Sequence, residues 1–128
     1  MNRIYRVQEY VENFLQKNQG EMRAYGFIHL YCVSQACTML ALKRGENVEL
    51  ACIAGLLHDV STYKLGDIAD HAHKGSVLAA GILRDMKLFN QEEIDQICQA
   101  IYNHSDKDRV DAPLDEILKD ADVLQHCL

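Results

Sequence analysis

The chain has 128 residues, of which 48% are apolar and 25% charged, with one proline and no tryptophan. That length is enough for one domain with its own core, so no disulfide scaffold is needed. The formal charge of −6, with no dense Lys/Arg run, excludes a general nucleic-acid binder, because such proteins need a basic face against phosphates.

The first segment, residues 4–17, places Ile4, Val7, Tyr10, Val11, Phe14 and Leu15 three and four residues apart. That spacing makes one apolar face of a helix. Gly20 and Gly26 follow, so this helix ends before them. A second helix is predicted from about Phe27 to Lys43, with Gly45 as its C-terminal stop. A third starts at Asn47, a good N-cap, and runs through Leu50, Ala51, Ile53, Ala54, Leu56 and Leu57 to His58-Asp59. It is apolar nearly all round, which marks a buried central helix. Residues 60–70 read as a loop with at most a short turn. A fourth helix covers about Ala72 to Lys87. A fifth follows Asn90, which forms a capping-box-like pair with Glu93, and reaches about Asn103. Residues 104–112 are a polar, acidic loop, and Pro113 opens the last helix, where its missing N–H is harmless. No segment alternates with period two. The expectation is one all-α domain over residues 1–128, a compact bundle of about six helices.

No uninterrupted apolar run approaches the roughly 20 residues of a membrane span. Residues 1–10 carry Arg3, Arg6 and Glu9 and no apolar centre, so they do not form a signal peptide. The five cysteines form no C-x-x-C pair and sit mostly in apolar runs. They read as reduced thiols, and the protein as cytoplasmic.

The chemistry rests on histidines and aspartates at helix ends. His29 stands near the start of the second helix, His58-Asp59 closes the third, His71 opens the fourth and His104 ends the fifth. Asp122 lies on the apolar last helix, between Ala121 and Val123-Leu124. Ionisable groups beside such apolar runs are costly unless paired or metal-bound. Imidazole nitrogen and carboxylate oxygen together suit Zn, Fe, Mn, Co or Ni better than Mg or Ca. Such a metal binds phosphoryl oxygens and lowers the pKa of water, so no serine or cysteine nucleophile is required.

This ordered set resembles the HD-domain superfamily of metal-dependent phosphohydrolases, whose signature is His…His-Asp…Asp. The matching residues are His29, His58-Asp59 within Ala54-Gly55-Leu56-Leu57-His58-Asp59-Val60, and Asp122 within Asp120-Ala121-Asp122-Val123-Leu124. His71, ahead of Lys74-Gly75-Ser76, and His104, in Ile101-Tyr102-Asn103-His104-Ser105, match the further histidines of many members. The likeness spans about residues 27–126. It implies an HD-like helical fold and a metal held by His29, His58, Asp59 and Asp122. It also implies a second metal at His71 and His104 bridged by Asp59, with His58 and Asp59 as the catalytic pair. His73 is the alternative to His71, and His126 reads as an ordinary polar residue near the chain end.

Lys64, Lys74, Lys107 and Arg109 are the substrate-binding candidates, as charge-assisted donors to phosphate. The implied substrate is a phosphorylated small molecule such as a nucleotide, with no DNA, RNA or membrane partner. The alternatives are a di-iron oxygenase on the same ligands and a non-catalytic nucleotide-sensing domain. Many relatives carry further helices that complete the pocket, so a second subunit, as in a homodimer, is one way to close the site.

Overall fold

The computed structural model describes residues 2–127 and is all-helical among them. Seven helices run in order: α1 (Arg3–Leu15), α2 (Gly20–Arg44), α3 (Val48–Leu57), α4 (Val60–Leu65), α5 (His71–Met86), α6 (Gln91–Asn103) and α7 (Pro113–Cys127). Six correspond to the helices predicted from the sequence. The addition is α4, one short helix inside the expected loop at 60–70, closed by Gly66 at φ 70°.

Helix α3 is the hub. Every residue from Leu50 to Leu57 is buried, and α3 packs against α2, α6, α1 and α7. Its N-cap is Asn47, whose side chain accepts from the Leu50 N–H. Asn90 and Glu93 form the full capping box that starts α6. Pro113 is the first residue of α7.

Helix α2 begins at Gly20, earlier than the predicted Phe27, so His29 lies inside the helix and not near its start. The physical reason is Gly26. A Cβ there would stand 2.7 Å from Leu15 Cδ2 and 2.9 Å from Tyr63 Cε1. Gly26 therefore serves close packing and does not break the helix. By length and apolar composition α2 also meets the requirement of a bilayer span. Here one face of it is buried against α3 and α7. At Gly55 of α3 a Cβ would meet Ser34 Cα at 2.7 Å, so the two backbones nearly touch. That contact sets His58, three residues on, against His29.

The polar loop 104–112 is held from below by Lys119 of α7. Its buried Nζ donates to Arg109 O at 2.7 Å, to Asp111 Oδ2 at 2.8 Å and to Glu116 Oε2 at 2.9 Å. The paired carboxylates offset the cost of burying that ammonium.

Candidate metal centre

Five elements converge on Asp59, with His71 coming from the first turn of α5. His29 comes from α2, His58 and Asp59 from the α3–α4 junction, His104 from the C-cap of α6, and Asp122 from α7. His29, His58, His104 and Asp122 are buried. His29 Nε2 lies 2.8 Å from Asp59 Oδ2 and 3.1 Å from His58 Nε2. His58 Nε2 is 3.2 Å from Asp59 Oδ2. Both Nε2 atoms stand 3.6 Å from Asp122 Oδ1. On the other side of the carboxylate, Asp59 Oδ1 is 3.5 Å from His104 Nε2 and 3.7 Å from His71 Nε2.

The opposite ring nitrogens explain why these atoms face each other. His58 Nδ1 donates to Gly55 O at 2.7 Å, and His104 Nδ1 to Ile101 O at 2.6 Å. Each acceptor is a backbone carbonyl three residues back, available because the helix is ending. His29 Nδ1 donates to Gln125 Oε1 at 2.7 Å. With Nδ1 carrying the proton, a neutral imidazole presents a lone pair at Nε2. In the neutral, metal-ready form of the site three such lone pairs would point at one carboxylate. His104 Nε2 is buried with no hydrogen-bond partner. A cation is the group that resolves this geometry, and the His/Asp donor set suits a divalent transition metal.

Electrostatics agree. Burial opposes charge on His58, yet Asp59 and Asp122 outweigh it and push its pKa up to about 10. Asp59 is held well below the usual carboxylate range, against burial, by His58, His104 and His29. Asp122 is lowered too, against burial, by His58 and then Lys107. His104 moves the other way: burial lowers it, and the Asp59 contact only partly compensates. The two carboxylates of the cluster thus call for a cation. A proton on His58 meets that need, and a metal would meet it by displacing the proton.

The cluster opens into a cavity of about 460 Å³. Asp59, His29, His71 and Asp122 face it, and Tyr25, Tyr63, Ser105, Lys107 and His126 complete its rim. Lys107 Nζ donates to His104 O at 2.7 Å and to Asp122 Oδ2 at 3.3 Å, so it is the predicted substrate lysine that reaches this cavity. Arg109 lines a neighbouring cleft that shares Ser105, and is engaged with Asp111 at 2.9 Å. Lys74 points outward to Asp67 at 2.6 Å. Lys64 donates to the Tyr10 hydroxyl and lines a separate cavity of about 470 Å³ against α1, which contains no histidine. Lys64 and Lys74 therefore stand outside the metal-facing cavity, because α4 and the first turn of α5 turn them toward other carboxylate and hydroxyl partners.

His73, the alternative to His71, pairs with Asp70 at 2.9 Å and stacks on Tyr102 at 4.0 Å, away from the cluster. Five residues at the site escaped the sequence reading as site residues: Tyr25, Tyr63, Gln125, His126 and Ser105, which directly follows His104. Gln125 and His126 follow Asp122 by three and four residues, which places them on the same face of α7. His126 Nε2 lies 3.6 Å from Asp122 Oδ1, and its ring is 5.6 Å from that of His29. Tyr25 stacks on His29 at 5.6 Å, four residues along α2. Tyr63 comes from α4, and no spacing in the chain announces it.

The family model of the HD domain matches residues 26–126. The crystal structure of a predicted HD superfamily hydrolase from an uncultured Thermotogales bacterium is similar, with a TM-score of 0.75 and 25% sequence identity over 91% of this chain. The chain covers 66% of that structure's length, just under two thirds. No significant match was found among curated proteins.

Proposed function

The chain belongs to the HD-domain family, and from that premise we propose that it is a metal-dependent hydrolase of a small phosphate ester or a nucleotide-like substrate. The observation that carries this reading is the set of imidazoles with Nδ1 spent and Nε2 turned on Asp59. In this reading His29, His58, Asp59 and Asp122 hold one divalent transition metal. His71 and His104, with Asp59 between, hold a second. A metal there supplies Lewis acidity toward a phosphoryl oxygen and a water of lowered pKa.

The chain's own groups do the rest. Asp59 divides its two oxygens, Oδ2 toward His29 and His58 and Oδ1 toward His71 and His104. Lys107 brings a cation to the rim, where it meets an anionic substrate while steadying Asp122. Tyr63 keeps its hydroxyl protonated, because burial above all, and then Asp59, raises its pKa. Lining the cavity, it is available there as a donor to an anionic substrate. No cysteine lines the cavity, and in this reading a water of lowered pKa would be the nucleophile, with Ser105 Oγ 3.3 Å from His71 Nε2 beside it. The same reading takes residues 1–128 as one domain working in the cytoplasm, where the free cysteines stay reduced.

The test is phosphate release from generic and nucleotide substrates by protein loaded with Mn, Co, Fe or Ni. Activity that requires metal and is lost in Asp59→Ala supports the reading. Full activity in Asp59→Ala overturns it, and metal-dependent oxygen consumption without phosphate release assigns the site to oxygen chemistry instead.

A further inference from the structure

Helix α2 has two apolar sides, and the fold covers one. Gly26, Leu30, Val33, Cys37 and Ala41 are buried. From residue 25 to residue 42 the exposed positions are Tyr25, Ile28, Cys32, Gln35, Met39 and Leu42. Their spacing is three, four, three, four and three, the a/d repeat of a helix-pairing seam. Five of the six are apolar or aromatic, with Ile28 57%, Met39 69% and Leu42 67% exposed. The stretch Ala24 to Leu42 contains no Asp, Glu, Lys or Arg. Isolated exposed apolar residues elsewhere, such as Val77 and Val110, need no explanation. A continuous seam about 26 Å long on one helix does.

We propose that this seam docks antiparallel onto the α2 seam of a second copy of the chain. Charge decides the direction. Glu21 and Arg23 precede the uncharged stretch, and Lys43, Arg44 and Glu46 follow it. A parallel pair sets like against like at both ends. An antiparallel pair that lays the seam on itself, Tyr25 opposite Leu42 and Ile28 opposite Met39, brings Glu21 within about one helical turn of the partner's Lys43 at each end, leaving Arg44 to its own Asp120 at 2.6 Å. The arrangement is isologous, so it closes as a dimer. Gln35, near the middle, is the polar position that fixes register at some cost in stability. Tyr25 ends the seam and also stacks on His29 at the cavity rim. Pairing therefore covers Tyr25 and raises a wall beside the cavity.

This inference is independent of the reaction, and its test needs no substrate. Sedimentation of the full chain across concentration should show a dimer. Met39→Glu should raise its dissociation constant about 100-fold or more, since a charge enters an apolar seam, with helical circular dichroism unchanged. Lys43→Glu should weaken the dimer, and adding Glu21→Lys should restore it. A monomer at every concentration overturns the proposal, and a monomer that binds phospholipid vesicles assigns the seam to a membrane. A dimer indifferent to Met39→Glu, or a charge swap that fails to restore pairing, overturns it equally.

Discussion

Gln125 Oε1 accepts the Nδ1–H of His29 at 2.7 Å, whereas His58 and His104 give their Nδ1–H to backbone carbonyls. Two imidazoles are therefore oriented by the chain itself and one by a replaceable side chain.

That asymmetry makes Gln125 a positioning residue. Gln125→Leu should weaken divalent-metal binding by about 10- to 100-fold, the usual effect of losing such a partner. Gln125→Glu, which keeps the acceptor, should hold affinity at least at the original level. Calorimetric titration of chelator-treated protein with Mn or Co checks both, and equal affinities in all three proteins would contradict the assignment.

His104 separates one metal from two. Its buried Nε2 meets Asp59 Oδ1 and no hydrogen-bond partner. His104→Ala should remove a second equivalent of metal and leave the first, which His29, His58 and Asp122 support. Asp59→Ala, which removes the carboxylate shared by the two sets, should abolish both. Elemental analysis after anaerobic purification without chelator reads the stoichiometry directly.

Gly55→Ala tests the α2–α3 contact. The new methyl would meet Ser34 Cα at 2.7 Å and Ser34 N at 3.0 Å, which are backbone atoms that cannot turn aside. Overpacking of this kind costs about 2 kcal/mol. Urea unfolding should show the loss, and metal affinity should fall with it, because His58 follows on the displaced helix.

The loop beside the site should loosen in acid. Lys119 first, then Arg109, holds Asp111 below the usual carboxylate range. Lys119 also lowers Glu116, followed by the Asp111 backbone N–H. A lowered folded pKa gives stability that is present above the unfolded value, about 4, and is lost as pH falls through the folded value. The urea midpoint should therefore drop below about pH 4. Lys119→Met should flatten that acid limb, and an unchanged slope would count against this account.

How much of this was legible beforehand differs from residue to residue. Local rules located Asn47, Asn90-Glu93, Gly45 and Pro113 as helix boundaries, because caps depend on neighbours within one turn. They misplaced the start of α2, because Gly26 answers to Leu15 on another helix and to Tyr63 far along the chain. The ordered His and Asp residues identified the family, and the structure brings His29, His58, Asp59, His71, His104 and Asp122 into one cluster.

The sequence by itself thus determined the helical pattern and the order of the metal-seeking residues, since both are carried by composition and short spacing. Only the tertiary structure decided which basic side chains reach the cavity. Lys107 does and Lys64 does not, though each follows a site residue by a few positions, because helix α4 carries Lys64 to the Tyr10 hydroxyl, whereas Lys107 Nζ turns back to His104 O and Asp122 Oδ2. The structure also decided that Gln125 meets His29 and that the outer face of α2 stays exposed. A hydrogen-bond partner 96 residues away, and a seam exposed after the core is filled, exist only once the helices have packed.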